Sequence, residues 1–476
     1  MLTSFRRLGS LNNILRHSNM FFSQGTSFTP PVLPVLNNVA ERIQSSSELT
    51  HKFERTLFVC VQHMVDNTAS LFVDGLLSCG AKPENIFAAD KIYSTYMPVI
   101  DFLKSQGINV FHDHSRTMLP RDYLKSNNKK LESMWDDVVL HLNKTTTIDR
   151  IVVLDEGGRC IERMPERLFL DYPLAVVEQT RGGFYSPVFK DPIFPVIDLA
   201  QSASKIFLES PIIAKAIIEK SLNAIDRLDV QEGEICGVIG NGAIGSALTE
   251  ALLEKGYRVV AYDKNEAAYQ NLKSVVRVKN IELVIKHAHV IFGCTGQDVF
   301  NDIDAFELIR KNKIFISCSS ENREFKSLLD QLEVERNVNS DMILYSNNGN
   351  EFLCVNGAFP VNFTHAENSG SGESFQLTSA LLLSSLAQAV SQAASLELDS
   401  MDYKESTYYQ LDPAIQAFVA QDWLANDSLG SLLPETLKDD FSSSSWIAKN
   451  SAGKSPTTPE IAALFNSSNC AARPSM

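Results

Sequence analysis

From Arg55 to His112, short β-branched runs alternate with stretches whose apolar residues recur every three or four positions. The runs Thr56–Gln62, Asn85–Ala89 and Ile108–His112 predict strands, with helices over Asn67–Cys79 and Met97–Gln106 between them. Two more short apolar runs, Arg150–Asp155 and Leu174–Glu178, each end in acidic residues. Strands and helices in this order form a parallel sheet covered on both faces. In such sheets the ligand crevice opens beyond the carboxyl ends of the strands. His63, Asp155, Glu156 and Glu178 are therefore expected to project toward one crevice.

Pro192 and Pro195 punctuate the chain, and a helical pattern from about Leu199 to Leu228 leads onward. A strand over Glu234–Ile239 then runs into Gly240-Asn241-Gly242-Ala243-Ile244-Gly245, followed by a helix to about Lys255. Strands over Arg258–Tyr262, Val290–Gly293 and Ile314–Ser317 complete a second doubly wound unit. The apolar stretch Leu377–Leu396 is broken by Ser, Gln and Thr at helical spacing, so it predicts a buried core helix and not a membrane span.

The glycines carry the first chemistry. A lone Gly-x-Gly-x-x-Gly is weak evidence, but this one follows an apolar strand and opens a helix rich in small residues. Gly240 suits the tight turn, Gly242 lets a pyrophosphate approach the backbone, and Gly245 lets helix and strand pack closely. The helix start offers N–H groups and partial positive charge to phosphates. Asp263 stands 23 residues after Gly240, at the end of the next strand. A carboxylate there accepts bonds from ribose hydroxyls and disfavours an extra phosphate, so NAD is the expected cofactor, with Lys264 softening the preference.

Composition narrows the rest. With 476 residues the chain should split into two or three domains. A formal charge of −14 and no basic stripe argue against a nucleic-acid partner. Eight cysteines lie scattered, without a Cys-x-x-Cys pair or zinc-type spacing, so no metal is expected and a reducing compartment fits. The first 40 residues carry Arg6, Arg7 and Arg16 and no acid before Glu41. That start reads as a disordered extension or as a mitochondrial presequence. Cytoplasmic location is the main expectation and mitochondrial location the alternative. The Ser- and Asn-rich stretch from Phe441 reads as a flexible tail.

Several motifs, in shared order from roughly residue 55 to 390, make the chain resemble the S-adenosylhomocysteine hydrolases. They are His63-Met64 with Thr68-Ala69, Lys91-Ile92-Tyr93-Ser94-Thr95, Leu154-Asp155-Glu156-Gly157-Gly158, Val177-Glu178-Gln179-Thr180, the glycine fingerprint and Cys294-Thr295-Gly296. The resemblance implies tightly held NAD that transiently oxidises a substrate hydroxyl, with proton transfers by groups tuned through burial and neighbours. It implies Lys205 and His63 in acid/base work, Glu156 and Glu209 as orienting groups, and Gln179 as a hydroxyl-binding residue. Thr180, Cys294, Thr295 and Gly296 join Gly240, Asn241, Gly242, Ala243, Ile244, Gly245 and Asp263 as expected cofactor contacts.

Departures from the family are concentrated where the substrate is read. Glu209 replaces an aspartate, Gln179 and Asn67 replace glutamates, and Ser319-Ser320-Glu321 replaces a Gly-His motif. Ala358-Phe359-Pro360 stands for Gly-His-Pro, and the family's C-terminal Lys and Tyr have no counterpart. His365 is near enough in sequence to supply a lost imidazole. The expectation is thus a divergent NAD-dependent enzyme acting on a nucleoside-like or other hydroxyl-bearing molecule. The alternatives are a true adenosylhomocysteinase and a non-catalytic NAD-binding homologue. A homo-oligomer is compatible with the family, and no membrane partner is expected.

The expected architecture is α/β, with a flavodoxin-like substrate domain and an inserted Rossmann NAD-binding domain, both doubly wound parallel sheets. The boundaries are 1–40 for the extension, 41–215 for the substrate domain, 216–350 for the NAD domain, 351–400 for the return segment and 401–476 for the C-terminal region.

Overall fold

The computed structural model describes residues 28–113, 122–269, 274–301, 303, 313–339, 342–347, 350–363, 372–395, 408–426, 435–454 and 459–466. His365 lies outside them, as does most of the N-terminal extension. The chain forms two units, one from Phe28–His114, Lys125–Glu209 and Ser371–Met476, the other built on Ser210–Gly370.

The first unit is organised by strands β1 (Thr56–Gln62), β2 (Ile86–Asp90), β3 (Asn109–Phe111), β4 (Arg150–Asp155), β5 (Leu174–Glu178) and β6 (Val196–Asp198). They pair in parallel in the order 3-2-1-4-5-6, with Tyr408–Gln410 added beyond β6. Every residue of β1, β2, β4 and β5 is buried, as a sheet covered on both faces requires. The doubly wound class is as expected, but the order is not the flavodoxin one. A flavodoxin sheet reverses after two strands, whereas here β3 extends the sheet past β2 before the chain crosses back to β4. The reversal places the crevice between β1 and β4.

Residues 34–44 and 444–466 contribute more described structure to this unit than their composition suggests. Pro34 starts a helix through Gln44 that buries Val35, Leu36, Val39, Ala40 and Ile43, so the folded region begins before residue 41. The presumed flexible tail contains helices Ser444–Lys449 and Pro459–Asn466, which pack on helix Pro413–Asn426. Ile447, Ile461 and Phe465 are buried there. Short helices of this kind owe their stability to tertiary packing and leave a weak sequence signal.

Helix Gly372–Ala394 is the central helix of the unit, and Ser384, Ser385 and Gln388 are buried alongside its leucines. The serines return their hydroxyls to the carbonyls of Ala380 and Leu381. Among the described residues no helix is long and apolar enough to cross a membrane. The expected helix from Leu199 is shorter than its pattern: a π-helical turn over Lys205–Glu209 leads into helix Ser210–Arg227.

In the second unit, β7 (Ile235–Ile239), β8 (Arg258–Tyr262), β9 (Val276–Arg277), β10 (Val290–Gly293) and β11 (Lys313–Ser317) are parallel. An antiparallel set follows, β12 (Glu333–Asn339), β13 (Met342–Asn347) and β14 (Asn350–Val355), in which β14 also pairs in parallel with β11. The order is 9-8-7-10-11-14-13-12, with the winding reversed between β7 and β10. Leu248 and Leu252 of helix Ala243–Glu254 pack onto Cys236, Val238, Val259 and Ala261 of the sheet.

Candidate functional site

The fingerprint of the second unit sits at the reversal of its sheet. Gly240 adopts φ +90°, and a side chain there would press to 2.8 Å from the Cys294 backbone. A Cβ on Gly245 would stand 1.9 Å from the Gly240 carbonyl oxygen, so this glycine is what lets helix and turn touch. Gly242 differs: its φ is −69°, and a Cβ there would meet nothing within 4 Å. The open space faces the start of helix Ala243–Glu254, where Ala243 and Ile244 present backbone N–H groups suited to an anion.

Asp263 is bound into this turn. Its Oδ2 accepts the Asn241 N–H at 2.6 Å and its Oδ1 the Asn265 N–H at 2.8 Å. The Asn241 side chain is buried and donates to the Ala268 carbonyl at 2.9 Å, tying the glycine turn to the segment after β8. The acid that should read a ribose is therefore placed and oriented by the loop that should hold the phosphates.

On the other side of the reversal, Cys294, Thr295 and Gly296 follow β10. A buried carboxylate that sequence reasoning missed, Glu324, holds them. Its Oε1 accepts the Gly296 N–H at 2.5 Å and the Ser319 hydroxyl at 2.6 Å, and its Oε2 accepts the Thr295 hydroxyl at 2.8 Å. Burial raises its carboxyl to about 7 against the pull of these donors. Strained backbone gathers beyond β11 and β14: Glu321 has φ +60°, and Asn356, Gly357 and Ala358 have φ of +50°, +60° and +68° in succession. Positive φ at non-glycine residues is costly and concentrates at functional sites.

In the first unit the crevice between β1 and β4 holds His63, Glu156 and Gln179. Glu156 Oε1 lies 2.9 Å from His63 Nε2 and 2.8 Å from Lys91 Nζ, and Oε2 accepts the Gln179 amide at 3.1 Å. His63 Nδ1 meets the Ser94 hydroxyl at 2.5 Å. Both ring nitrogens are thus engaged within the protein, and proton exchange with a ligand requires one of these bonds to open. Burial lowers the His63 pKa despite Glu156, which favours the neutral ring. Burial alone would raise Glu156, but His63 and Lys91 together hold it well below the usual carboxylate range. The sequence marks Lys91 only as part of a motif.

Asp155 and Glu178 do not turn toward the crevice as expected. Asp155 accepts the N–H groups of Glu156, Cys160 and Ile161. Glu178 accepts those of Gly157, Gly158 and Thr180 together with the Thr180 hydroxyl. Loop backbone at a strand end needs such acceptors, and these two carboxylates supply them. Thr180, expected among the cofactor contacts, belongs to this unit, and its N–H and hydroxyl are both given to Glu178.

Lys205 and Glu209 pair at 2.7 Å, and the Thr378 hydroxyl donates to the other oxygen of Glu209 at 2.6 Å. The Lys205 side chain is 13% exposed and that of Glu209 3%, so this is not a solvated surface pair. It lies on the π-helical turn, a distortion frequent at functional sites. Lys205 is close enough to His63 to disfavour its charged form.

Residues 235–321 match the family model described as NADP oxidoreductase, coenzyme F420-dependent. Two proteins of Mycobacterium tuberculosis, "Uncharacterized protein MT0113" of strain CDC 1551 / Oshkosh and "Uncharacterized protein Rv0104" of strain ATCC 25618 / H37Rv, are each 28% identical over 346 residues. Each match covers 72% of this chain and 66% of the relative, so the chain spans about two thirds of the relatives' length. Among solved structures, a dehydrogenase from Rhizobium meliloti is similar at TM-score 0.25 and 13% identity, over 46% of this chain and 72% of that one. NAD-dependent formate dehydrogenase from Staphylococcus aureus in complex with NAD is similar at TM-score 0.27 and 13% identity, over 50% of this chain and 72% of that one. The second unit has the doubly wound Rossmann topology, and its glycine turn with the matching family model marks it as a site for a nicotinamide dinucleotide.

Proposed function

We propose that the chain is a divergent relative of the adenosylhomocysteinases, an NAD-dependent enzyme that transiently oxidises a hydroxyl of a nucleoside-like or other hydroxyl-bearing small molecule. The observation that carries this reading is the Lys205–Glu209 pair, its carboxylate buried, on the π-helical turn, in a unit whose crevice also holds His63 and Glu156. The dinucleotide, when bound, supplies the hydride acceptor. Asp263 favours NAD over NADP in this reading, because a second phosphate would meet a carboxylate already fixed against the turn.

Lys205 exchanges a proton at Nζ, and Glu209, steadied by Thr378, orients it. Glu156 fixes the His63 ring through Nε2, and Gln179, whose amide nitrogen is given to Glu156, presents its amide oxygen to a substrate hydroxyl. Incubating the purified chain with nucleosides and hydroxy acids should produce reduced cofactor with at least one of them. Lys205→Met should lower that signal by about a hundredfold or more. Unchanged turnover in Lys205→Met refutes its role, and thiol release from S-adenosylhomocysteine would identify a true hydrolase.

A second reading is favoured by one observation: Glu156 is fully engaged by His63, Lys91 and Gln179. A closed network of this kind suits a non-catalytic dinucleotide-binding homologue. Tight NAD binding with no hydride exchange across the panel would select it.

A further inference from the structure

In a doubly wound sheet a dinucleotide lies across the reversal of the winding, with one half over the strand pair on each side. Asp263 directly follows β8 and marks the adenosine side. The nicotinamide side is therefore the edge formed by β10 and β11, where the Cys294–Gly296 turn rests on Glu324. We propose that Glu324 tunes the bound cofactor: as a carboxylate it favours the oxidised dinucleotide, whose ring is cationic, over the reduced one, whose ring is neutral. The inference rests on the dinucleotide assignment of this unit and not on any choice of substrate.

Geometry supports a dedicated site for this charge. Glu324 is fully buried, so its field is little screened by water. It is held from two loops, by Thr295 and Gly296 after β10 and by Ser319 after β11. Space for it is reserved, since a Cβ on Gly293 would come within 2.8 Å of its Oε2.

The surrounding groups leave Glu324 to carry the change. From the β10 side it faces Cys294, whose thiol is pushed well above its ordinary range, first by the Cys318 thiol and then by burial. Arg323 is committed to Glu321 at 2.8 Å. Asp298 accepts the Ser327 N–H and hydroxyl and the Phe300 N–H. With burial raising Glu324 to about 7, its charge changes across the neutral range. Coupling is reciprocal: a carboxylate that holds the cationic ring more tightly is itself ionised more easily beside that ring.

The test is to titrate the full chain with oxidised and reduced NAD from about pH 6 to about pH 8.5, a range that brackets a group near neutrality. The affinity ratio should move toward the oxidised form by about three- to tenfold as the pH rises. Glu324→Gln, which keeps the shape, should make the ratio independent of pH. Ser319→Ala removes one donor to the carboxylate and should shift the midpoint to higher pH without flattening the curve. A flat ratio in the parent protein, or the same pH dependence in Glu324→Gln, overturns the inference. Binding of neither form overturns the dinucleotide assignment as well, and so is told apart from a flat ratio.

Discussion

At the scale of single residues, the three glycines of the fingerprint do different jobs, and the structure separates them. Gly245 is packed against the Gly240 carbonyl, so Gly245→Ala should destabilise the second unit by about 1–3 kcal/mol or more. Gly242 has an ordinary φ and open space before it, so Gly242→Ala should change stability by less than about 1 kcal/mol. The same methyl would occupy the approach of a pyrophosphate, and NAD affinity should fall by about a hundredfold, or about 2.7 kcal/mol. Thermal melting and NAD titration of the two variants check this, and a Gly242→Ala protein that binds normally would contradict the placement of the phosphates. The glycines and Asp263 were legible because each answers to a local rule of turn, approach or strand end. Lys91 and Glu324 were not. A lysine one residue past a strand and a glutamate beyond a Ser-rich loop acquire meaning only when the chain folds back to bring Glu156 and the Thr295–Gly296 turn to them.

At the scale of elements, both sheets use one device: a buried carboxylate on one strand's loop gathers the N–H groups of the loop on the neighbouring strand. Glu178 does this for Gly157 and Gly158, and Glu324 for Gly296. Strands β1, β4, β5 and β8 were readable to the residue because apolar runs bounded by turn signals have few other solutions. Val196–Asp198 and Tyr408–Gln410 have only three residues each, too few for a periodicity to register. The end of the second is also tied to the central helix by a side-chain amide. Gln388 of the central helix donates to the Gln410 carbonyl at 3.0 Å and accepts the Asp412 N–H at 2.9 Å. Gln388→Leu would leave both backbone groups buried without these partners. We expect a loss of about 2–4 kcal/mol in urea unfolding, against nearly none if the amide were incidental.

At the scale of the whole molecule, the two units differ in how they are assembled from the chain. The first is built from distant segments, and helix Pro34–Gln44 packs against helix Gly372–Ala394. Among the described residues, the second draws its two buried clusters from residues between Ile217 and Val361, within the continuous stretch Ser210–Gly370, with Tyr123 added against Phe359. Its sheet closes within the same stretch, and so does the contact of the glycine turn with Asp263 and of Glu324 with Thr295 and Gly296. A continuous segment with its own core and its own ligand loops satisfies the conditions for an autonomous domain. We therefore expect a fragment of residues 210–370 to unfold cooperatively and to bind NAD within about tenfold of the full chain's affinity, a difference of about 1.4 kcal/mol. It lacks Lys205, His63 and Glu156, so it should not exchange hydride with any hydroxyl compound. Calorimetric unfolding and NAD titration of the fragment decide the matter: a fragment that folds but loses NAD by far more than tenfold would show that residues outside 210–370 supply much of the binding.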